Sequence, residues 1–485
     1  MTLGELTANL IKILPLSILI LWASVLLLVD LFIPKDRKAW TAILAAAGLL
    51  VTTGFTIAQS GVDVEAFGGM LVVDGFSQFL SILVLTSGVV AILLSYEYLT
   101  RLGIQRGEYY VLLMFSISGM VLMAMAADLI VIFLALELLS IPLYVLAGFA
   151  RPRSDSEEAA IKYFLLGAFA GGFVVYGVAI IFGATGYTGL NNVLQTIQSG
   201  SADLSLLAVG GALILVGLGF KVAAVPFHMW TPDVYQGAPS SVTAFMAVGA
   251  KVGGFAALMR LFVTSFGVLA IDFTNVLWGL AALTMILGNV VAIAQTNIKR
   301  MLAYSSIAQA GYILMALVPY GQEAVIDDAI AAALLYLLAY AFMSFAAWAV
   351  VIALEKTEGR GLQLRDYAGM GRKYPILAAI MTVSMLSFTG IPPTLGFIGK
   401  FYLFRSVIDG GFVWLAIIGV LTSLVSAYYY LRVVIFMYMH DGEPEVERDN
   451  WLYLTAAVTG IGMILLGVFS LPLLNWAYQA AISAF

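Results

Sequence analysis

The 485-residue sequence has no cysteine and only two histidines, His228 and His440. Without cysteine there is no disulfide framework, no iron–sulfur cluster and no thiolate nucleophile. Two histidines cannot assemble a pair of bis-histidine haems, and they argue against a histidine-rich metal cage. Any electron chemistry coupled to this chain therefore takes place on another polypeptide. Charge is scarce as well. Only 11% of residues are charged and 62% are hydrophobic, against roughly a quarter charged in a soluble domain. With a mean hydropathy of +1.02, a water-soluble enzyme is excluded, because no soluble core could hide so much apolar surface. The net charge of −5 and pI near 5.2 argue against a nucleic-acid partner, which wants a basic patch. No Walker loop, dinucleotide fingerprint or H-E-x-x-H zinc motif occurs.

What is there is long apolar runs. They fall at about 10–33, 40–58, 76–98, 109–126, 129–149, 159–183, 205–227, 241–262, 273–295, 301–320, 328–354, 375–406, 411–438 and 452–474. A spanning helix needs about 20 such residues, so the pattern predicts an all-α membrane protein of about fourteen helices. Barrel strands would be shorter and alternate with a period of two. The residues 1–485 read as one polytopic membrane domain, since the longest polar stretches, 184–204 and 355–374, are too short to be domains. The first run has Glu5 and no basic cluster before it, which reads as a spanning helix and not a cleaved signal.

Basic residues set an orientation. Loops after odd-numbered runs hold Lys35, Arg37, Lys38, Arg101, Arg106, Arg151, Arg153, Lys299, Arg300, Lys356, Arg360, Arg365, Arg372, Lys373 and Arg448, 15 of the 23 Lys and Arg. Even-numbered loops carry acids, among them Asp74, Asp128, Asp203 and Asp272. The positive-inside rule makes the odd loops cytoplasmic and puts both termini outside.

Four charges fall where they are expensive. Glu137 and Lys251 lie in the middle of apolar runs, and Lys221 and Lys400 lie in runs interrupted by Gly and Pro. Each costs about 2.5–3.5 kcal/mol at mid-bilayer. A structural ion pair explains them poorly, because packed apolar residues often do as well. A hydrated ion path explains them better, with Glu137 and Lys221 as a pair whose opening and closing changes proton affinity. Lys162 reads equally well as a path residue or as a side chain snorkelling beside Glu157 and Glu158. Arg260, Arg405, Arg432, Asp30 and Glu97 read as interfacial anchors, and Tyr428, Tyr429 and Tyr430 as an aromatic belt. His228 could relay protons or bond at the interface. The acidic stretch Asp441–Asp449 reads as a solvated loop or docking surface.

Backbone breaks coincide with the lysines. Gly217, Gly219 and Pro226 surround Lys221, and Gly390, Pro392, Pro393, Gly396 and Gly399 precede Lys400. Such interruptions in two corresponding helices point to a transport site between inverted repeats. Helices 7 and 12 are five apart, so repeats of five helices (109–262 and 273–438, after helices 1–3 at 10–98 and before helix 14 at 452–474) have opposite topology by parity. The counterpart of the Glu137 helix carries no carboxylate, only Gln309, and the sequence suggests no partner for Lys400.

The segments Gly217–Leu218–Gly219–Phe220–Lys221, Val225–Pro226–Phe227–His228, Trp230–Thr231–Pro232–Asp233–Val234–Tyr235–Gln236–Gly237–Ala238–Pro239, Gln295–Thr296–Asn297–Ile298–Lys299–Arg300–Met301–Leu302–Ala303–Tyr304–Ser305–Ser306 and Gly390–Ile391–Pro392–Pro393 with Gly396–Phe397–Ile398–Gly399–Lys400 resemble the antiporter-like membrane subunits of bacterial respiratory complex I, the proton-translocating NADH–quinone oxidoreductase. Lys400, where the M-type subunit has glutamate, and the lack of the L-type's extra C-terminal helices favour the N type. The resemblance implies fourteen helices with inverted repeats over helices 4–8 and 9–13 and broken helices 7 and 12. It implies a translocase subunit in the bacterial plasma (inner) membrane, working with the other membrane and peripheral subunits. NADH, FMN, Fe–S clusters and quinone belong to those partners, with no cofactor or metal on this chain. It also implies that Glu137 and Lys221 form a switching pair, that Lys251 is the central relay, that Lys400 leads outward and that Lys162 is a further path residue. Electron donor and quinone type stay open. Two other functions compete: a cation/proton antiporter subunit of an Mrp-like complex, and a scaffold that seats neighbouring subunits.

Overall fold

Wherever hydropathy runs unbroken, the chain is helical. The computed structural model describes residues 2–267, 270–356, 360–447 and 449–483, the side chains at 36 and 270–272 excepted, so the loop residue Arg448 lies outside the described residues, and Asp272, expected in a loop, falls in a helix with its side chain undescribed. α1 (Leu3–Lys12) and α2 (Leu14–Asp30) meet at 97°. α3 (Ala39–Ala58) leads to a small antiparallel ribbon, β1 (Val64–Ala66) against β2 (Leu71–Val73). Then come α4 (Gly75–Arg101), α5 (Gly107–Met125), α6 (Leu129–Ala147) and α7 (Ser154–Thr185). α8 (Leu190–Gln198) is a short helix inside the polar stretch 184–204; Leu190, Val193 and Ile197 form its buried face. α9 (Leu204–Val222), α10 (Trp230–Gly237), α11 (Ser240–Ser265) and α12 (Ala270–Ile293) follow. The second half is α13 (Ile298–Met315), α14 (Ile326–Leu354), α15 (Met370–Lys373), α16 (Pro375–Thr389), α17 (Leu395–Asp409), α18 (Val413–Met439), α19 (Asn450–Val468) and α20 (Leu471–Ile482).

Eleven of these helices are long and apolar enough to cross a membrane, twelve if the bent pair α1–α2 is one span. The seventh and twelfth runs each divide, at 223–229 and 390–394, and the last run divides between α19 and α20. The ends have local causes. Asp74, Asp128, Asp203, Asn297 and Asp449 cap α4, α6, α9, α13 and α19, each accepting from backbone N–H groups of the first turn. The acidic bias of the even loops is thus partly helix capping, which also places negative charge at positive helix ends.

α11 and α13 are buried round nearly their whole circumference, and so is α14, which makes these three the centre of the bundle. α7, α18 and α19 instead present exposed faces such as Phe164, Leu165 and Phe169, or Leu421 and Leu424. Faces of that kind require lipid or a neighbouring subunit.

Several expected surface anchors are interior. Arg260 is buried and pairs through both Nη atoms with Asp74, at 2.5 and 3.1 Å, while also donating to Ala124 O at 3.0 Å. Asp30 is buried against Lys38 Nζ and the Thr41 hydroxyl. Arg432 stays half-buried, as an interfacial residue does, and donates to the carbonyls of Ile293 and Gln295 at the end of α12. Only Tyr428 of the tyrosine trio is exposed; Tyr429 and Tyr430 are fully buried. A hydropathy profile places residues by depth along a helix and cannot tell which side faces the bundle.

The acidic side chains of the Asp441–Asp449 stretch, Asp441, Glu443 and Glu445, are solvent-exposed, as the solvated-loop reading expects. The stretch straps back on the same chain through Arg372–Asp441 (2.7 Å), Lys373–Glu443 (2.9 Å) and Lys356–Glu445. The Lys373 ammonium holds Glu443 below the ordinary carboxylate range, and Glu443 raises Lys373. Glu443's contribution is therefore present above its unfolded value and lost as pH falls through its lower folded one. Limited proteolysis between residues 440 and 449 should quicken at acid pH and in high salt, which screens exposed pairs.

Candidate functional site

The four costly charges fall along one seam of the bundle, where α11, the helix of Lys251, packs at Gly254 against the Lys221 side chain. Glu137 sits in mid-α6 over Gly171 of α7, where an added Cβ would lie 2.8 Å from Oε1. Glycine there is what leaves room for the carboxylate. Pro142 lies inside α6 and leaves the carbonyl four residues earlier, Leu138 O, without its helical donor. Lys221, the penultimate residue of α9, is buried. Its Nζ donates to Ser140 Oγ at 2.8 Å and to Tyr163 OH at 3.0 Å, and lies 5.2 Å from the Tyr163 ring centroid. Ser140 is three residues beyond Glu137, so the ammonium stands about one helical turn from the carboxylate, coupled to it by its field but not in contact. The pair inferred from the sequence is thus apart in this structure, with neutral hydroxyls holding the lysine.

Beyond Lys221 the backbone breaks. Ala223 adopts the left-handed conformation with φ +63°, Trp230 Nε1 donates to Phe220 O at 2.8 Å, and Thr284 Oγ1 accepts from Val225 N at 2.9 Å. Groups freed by the break are thus satisfied inside the protein, as a membrane interior demands. Trp230 stacks on Tyr163, 4.6 Å between centroids at 9°, and so links the break to the Lys221 pocket.

Lys251 lies at the centre of α11. It is buried, donates to Ser306 O of α13 and stands 5.6 Å from the Tyr340 ring centroid of α14. Tyr340 OH in turn donates to Ser306 Oγ at 2.7 Å. Lys400, buried on α17, answers the question its sequence left open. Its Nζ donates to Phe388 O (2.9 Å), Thr389 O (3.2 Å) and Ser423 Oγ (2.6 Å), and lies 4.3 Å from the Tyr312 ring centroid. The first two acceptors are the last carbonyls of α16, left without helical donors where the chain turns at Gly390, φ +92°. The break itself builds the cation site, and the negative end of α16 favours the charge.

Gln309 belongs to the Lys400 cluster. Its Nε2 donates to Phe388 O (3.3 Å) and Tyr430 OH (3.1 Å), while Tyr336 OH donates to its Oε1. Phe388 O is therefore shared between Gln309 and Lys400. Ser306, which receives Lys251, is one turn away from Gln309 on α13. No hydrogen bond among the described residues joins Ser306 to Gln309, so Lys251 and Lys400 each sit in a hydrogen-bonded cluster, and one turn of α13 lies between the two. Gln309→Leu would leave Tyr336 OH buried and unpaired, a cost of about 1–3 kcal/mol. A lowered melting temperature together with impaired transfer to Lys400 is the expected outcome, measured by thermal unfolding and ion translocation of the same preparation.

Two other candidates stand elsewhere. Lys162 Nζ is partly exposed, paired at 2.7 Å with Asp233 and at 2.7 Å with Glu158, and Arg300 shares Asp233. This is a surface ion network and not a link in the seam; Glu157 pairs with Arg151 instead. His228 is half-buried in the α9–α10 connection, and its Nδ1 has no partner among the described residues. The sequence reading missed Ser140, Tyr163, Ser306, Tyr340 and Ser423. A hydroxyl one turn from a buried charge, or Tyr336, Tyr340 and Ser344 at helical spacing, is the signal that would have found them.

Comparison with known proteins shows the family and the fold. Residues 126–426 match the family described as NADH:quinone oxidoreductase/Mrp antiporter, TM. NADH-quinone oxidoreductase subunit N of Chloroflexus aggregans is 47% identical over 464 residues, 94% of each chain. That of Trichlorobacter lovleyi is 45% identical, covering 98% of this chain and 97% of its own. A chain in the structure of respiratory complex I from Thermus thermophilus with bound aureothin superposes with a TM-score of 0.82 at 35% identity, covering 95% of this chain and 98% of that one. A chain of the Mrp complex from a Dietzia species has the same fold, with a TM-score of 0.84 at 21% identity, covering 99% and 97%.

Proposed function

The chain belongs to the NADH:quinone oxidoreductase/Mrp antiporter membrane family, and from that premise we propose how its seam moves protons. It is a multi-pass membrane subunit of an NADH–quinone oxidoreductase of the N type, and its work is proton translocation driven by quinone reduction in other subunits. The side with the basic loops is cytoplasmic, in a bacterial plasma membrane, and both termini lie outside. The fourteen runs are fourteen crossings, counting α9–α10 and α16–α17 as broken single helices. Helices 4–8 and 9–13 are inverted repeats whose charges have diverged, since Lys221 precedes its break and Lys400 follows its own.

Redox reactions elsewhere in the complex change the field at Glu137. When Glu137 draws Lys221 away from Ser140 and Tyr163, the lysine holds its proton more tightly. When the pair parts, as in this structure, Lys221 is held only by hydroxyls in a desolvated pocket and gives its proton up more readily. The proton passes to Lys251, then along Ser306 and Gln309 toward Lys400, and leaves by the α17 side. The single observation that carries the reading is the pair of polar clusters about Lys251 and Lys400, one turn of α13 apart at Ser306 and Gln309, because buried ammonium groups so lined are costly unless something moves among them.

The related Mrp fold makes cation/proton exchange the second reading. Vesicles loaded with sodium separate the two. Proton release that needs NADH and quinone and ignores a sodium gradient supports translocation; exchange without any redox partner would reject it.

A further inference from the structure

Buried polar atoms without a protein partner are uncommon, and each calls for a reason. One cluster of them lies apart from the lysine sites, at the basic-loop ends of α4, α11, α13 and α14. Glu355, fully buried just past α14, accepts from Tyr98 OH at 2.9 Å through Oε2, and its Oε1 has no partner among the described residues. Tyr367 OH and Ser240 Oγ are likewise buried and unpartnered. Lys299, buried at the start of α13, donates to Ala238 O at 2.7 Å and faces Glu355 without an ion-pair contact. The other charges near the cluster are Arg153 and Asp155 around the start of α7, Asp366 beside Tyr367, and Arg101, whose guanidinium lies 5.5 Å from the Tyr98 ring centroid.

A glutamate is a poor structural choice here. Glutamine would fill the same volume, keep the acceptor for Tyr98, add a donor and bring no buried charge. The position also leads inward. Tyr98 OH accepts from Ser240 N at 2.9 Å, so Tyr98 and Lys299 together grip the Ala238–Ser240 junction from which α11 runs to Lys251. On α14, Glu355, Trp348, Ser344 and Tyr340 recur at helical spacing on one face, and Tyr340 is the ring beside Lys251. Lys299 is about two turns before Ser306 on α13.

We propose that Glu355 is a proton-entry group of this chain: it takes a proton at the basic-loop side and passes it along the inner face of α14 to Lys251. The carboxylate forms an O–H bond with a proton from the adjoining aqueous phase. It loses that proton through water to a neutral Lys251, and the restored carboxylate is balanced by the Lys299 ammonium. No electrons move. The inference rests on the translocation reading and adds a supply of protons to Lys251 from the basic-loop side, beside the one from Lys221.

Glu355→Gln in the assembled oxidoreductase, reconstituted in vesicles, tests it. Proton translocation should fall several-fold, with the chain still assembled. Glu355→Asp should restore part of it, and Tyr98→Phe, which removes the hydrogen bond but spares the carboxyl, should retain most of it. A merely structural Glu355 predicts that Tyr98→Phe is as harmful as Glu355→Gln. That result, or translocation by E355Q at the parent rate, overturns the proposal. If E355Q does not assemble, the parent complex decides by carbodiimide labelling, which attacks protonated carboxyls in apolar surroundings. Turnover-dependent labelling of the Glu355 peptide supports the entry role, and no labelling overturns it. Lys221→Ala run alongside separates the two ideas: translocation lost there but intact in E355Q rejects the entry group alone.

Discussion

Lys221→Ala should assemble into the complex and leave it unable to pass protons through this chain. The substitution removes the ammonium coupled to Glu137 and leaves Ser140 and Tyr163 able to bond each other or water, so the cost in stability is small. Its cost in transfer is large, since a positioned proton-transfer group contributes on the order of a hundredfold or more. Glu137→Gln should give a partial loss, because the lysine stays but the field that retunes it is gone. Lys221→Arg should not rescue. A guanidinium stays protonated and cannot hand its proton on. The measurement is proton uptake and release across vesicles at matched content of complex. Normal translocation in both Lys221→Ala and Glu137→Gln would remove the switch from the mechanism.

Arg260→Ala should be the most damaging change to folding. Arg260 and Asp74 are each almost wholly buried, and their bidentate pairing ties mid-bundle α11 to the capped start of α4. Truncating one partner strands a buried carboxylate, a loss of about 3–5 kcal/mol, which is comparable to the net stability of many domains. The double replacement Asp74→Leu with Arg260→Met should be much milder, because it removes both desolvated charges. Melting temperature in detergent and the fraction of chain incorporated into the complex report both. Equal damage from the single and double variants would mean that the pair does something beyond cancelling its own charge.

The contrast between these two sites explains what the sequence made legible. Glu137, Lys221, Lys251 and Lys400 stand out in the sequence because a charge in the middle of an apolar run is costly. The divisions at 223–229 and 390–394 were visible because Gly and Pro concentrate there. Arg260 was read as an anchor because it lies near the end of its run, and nothing in a single helix reveals that Asp74, far away in the chain, waits opposite. Tyr429 and Tyr430 were read as a belt for the same reason: depth was legible and facing was not. The partner of Lys400 was invisible in principle, since two of its acceptors are backbone carbonyls that every residue has. The ribbon β1–β2 and the helix α8 were too short for any hydropathy run to mark. Lys162 illustrates the remaining ambiguity. Its partners Glu158 and Asp233 place it in a partly exposed ion network, and the nearness of Asp233 shows only in the fold.

Lys251 occupies the midpoint of the seam, between the Lys221 pocket and the Gln309 cluster, so the most direct trial is a count of protons translocated per NADH oxidised by vesicles containing the complex with Lys251→Leu. The apolar replacement fills the cavity and leaves Tyr340 and Ser306 bonded to each other. A reduced count, with the complex intact and electrons still reaching quinone, is what a route through these buried groups predicts. A count equal to that of the parent would show that protons cross by some other way.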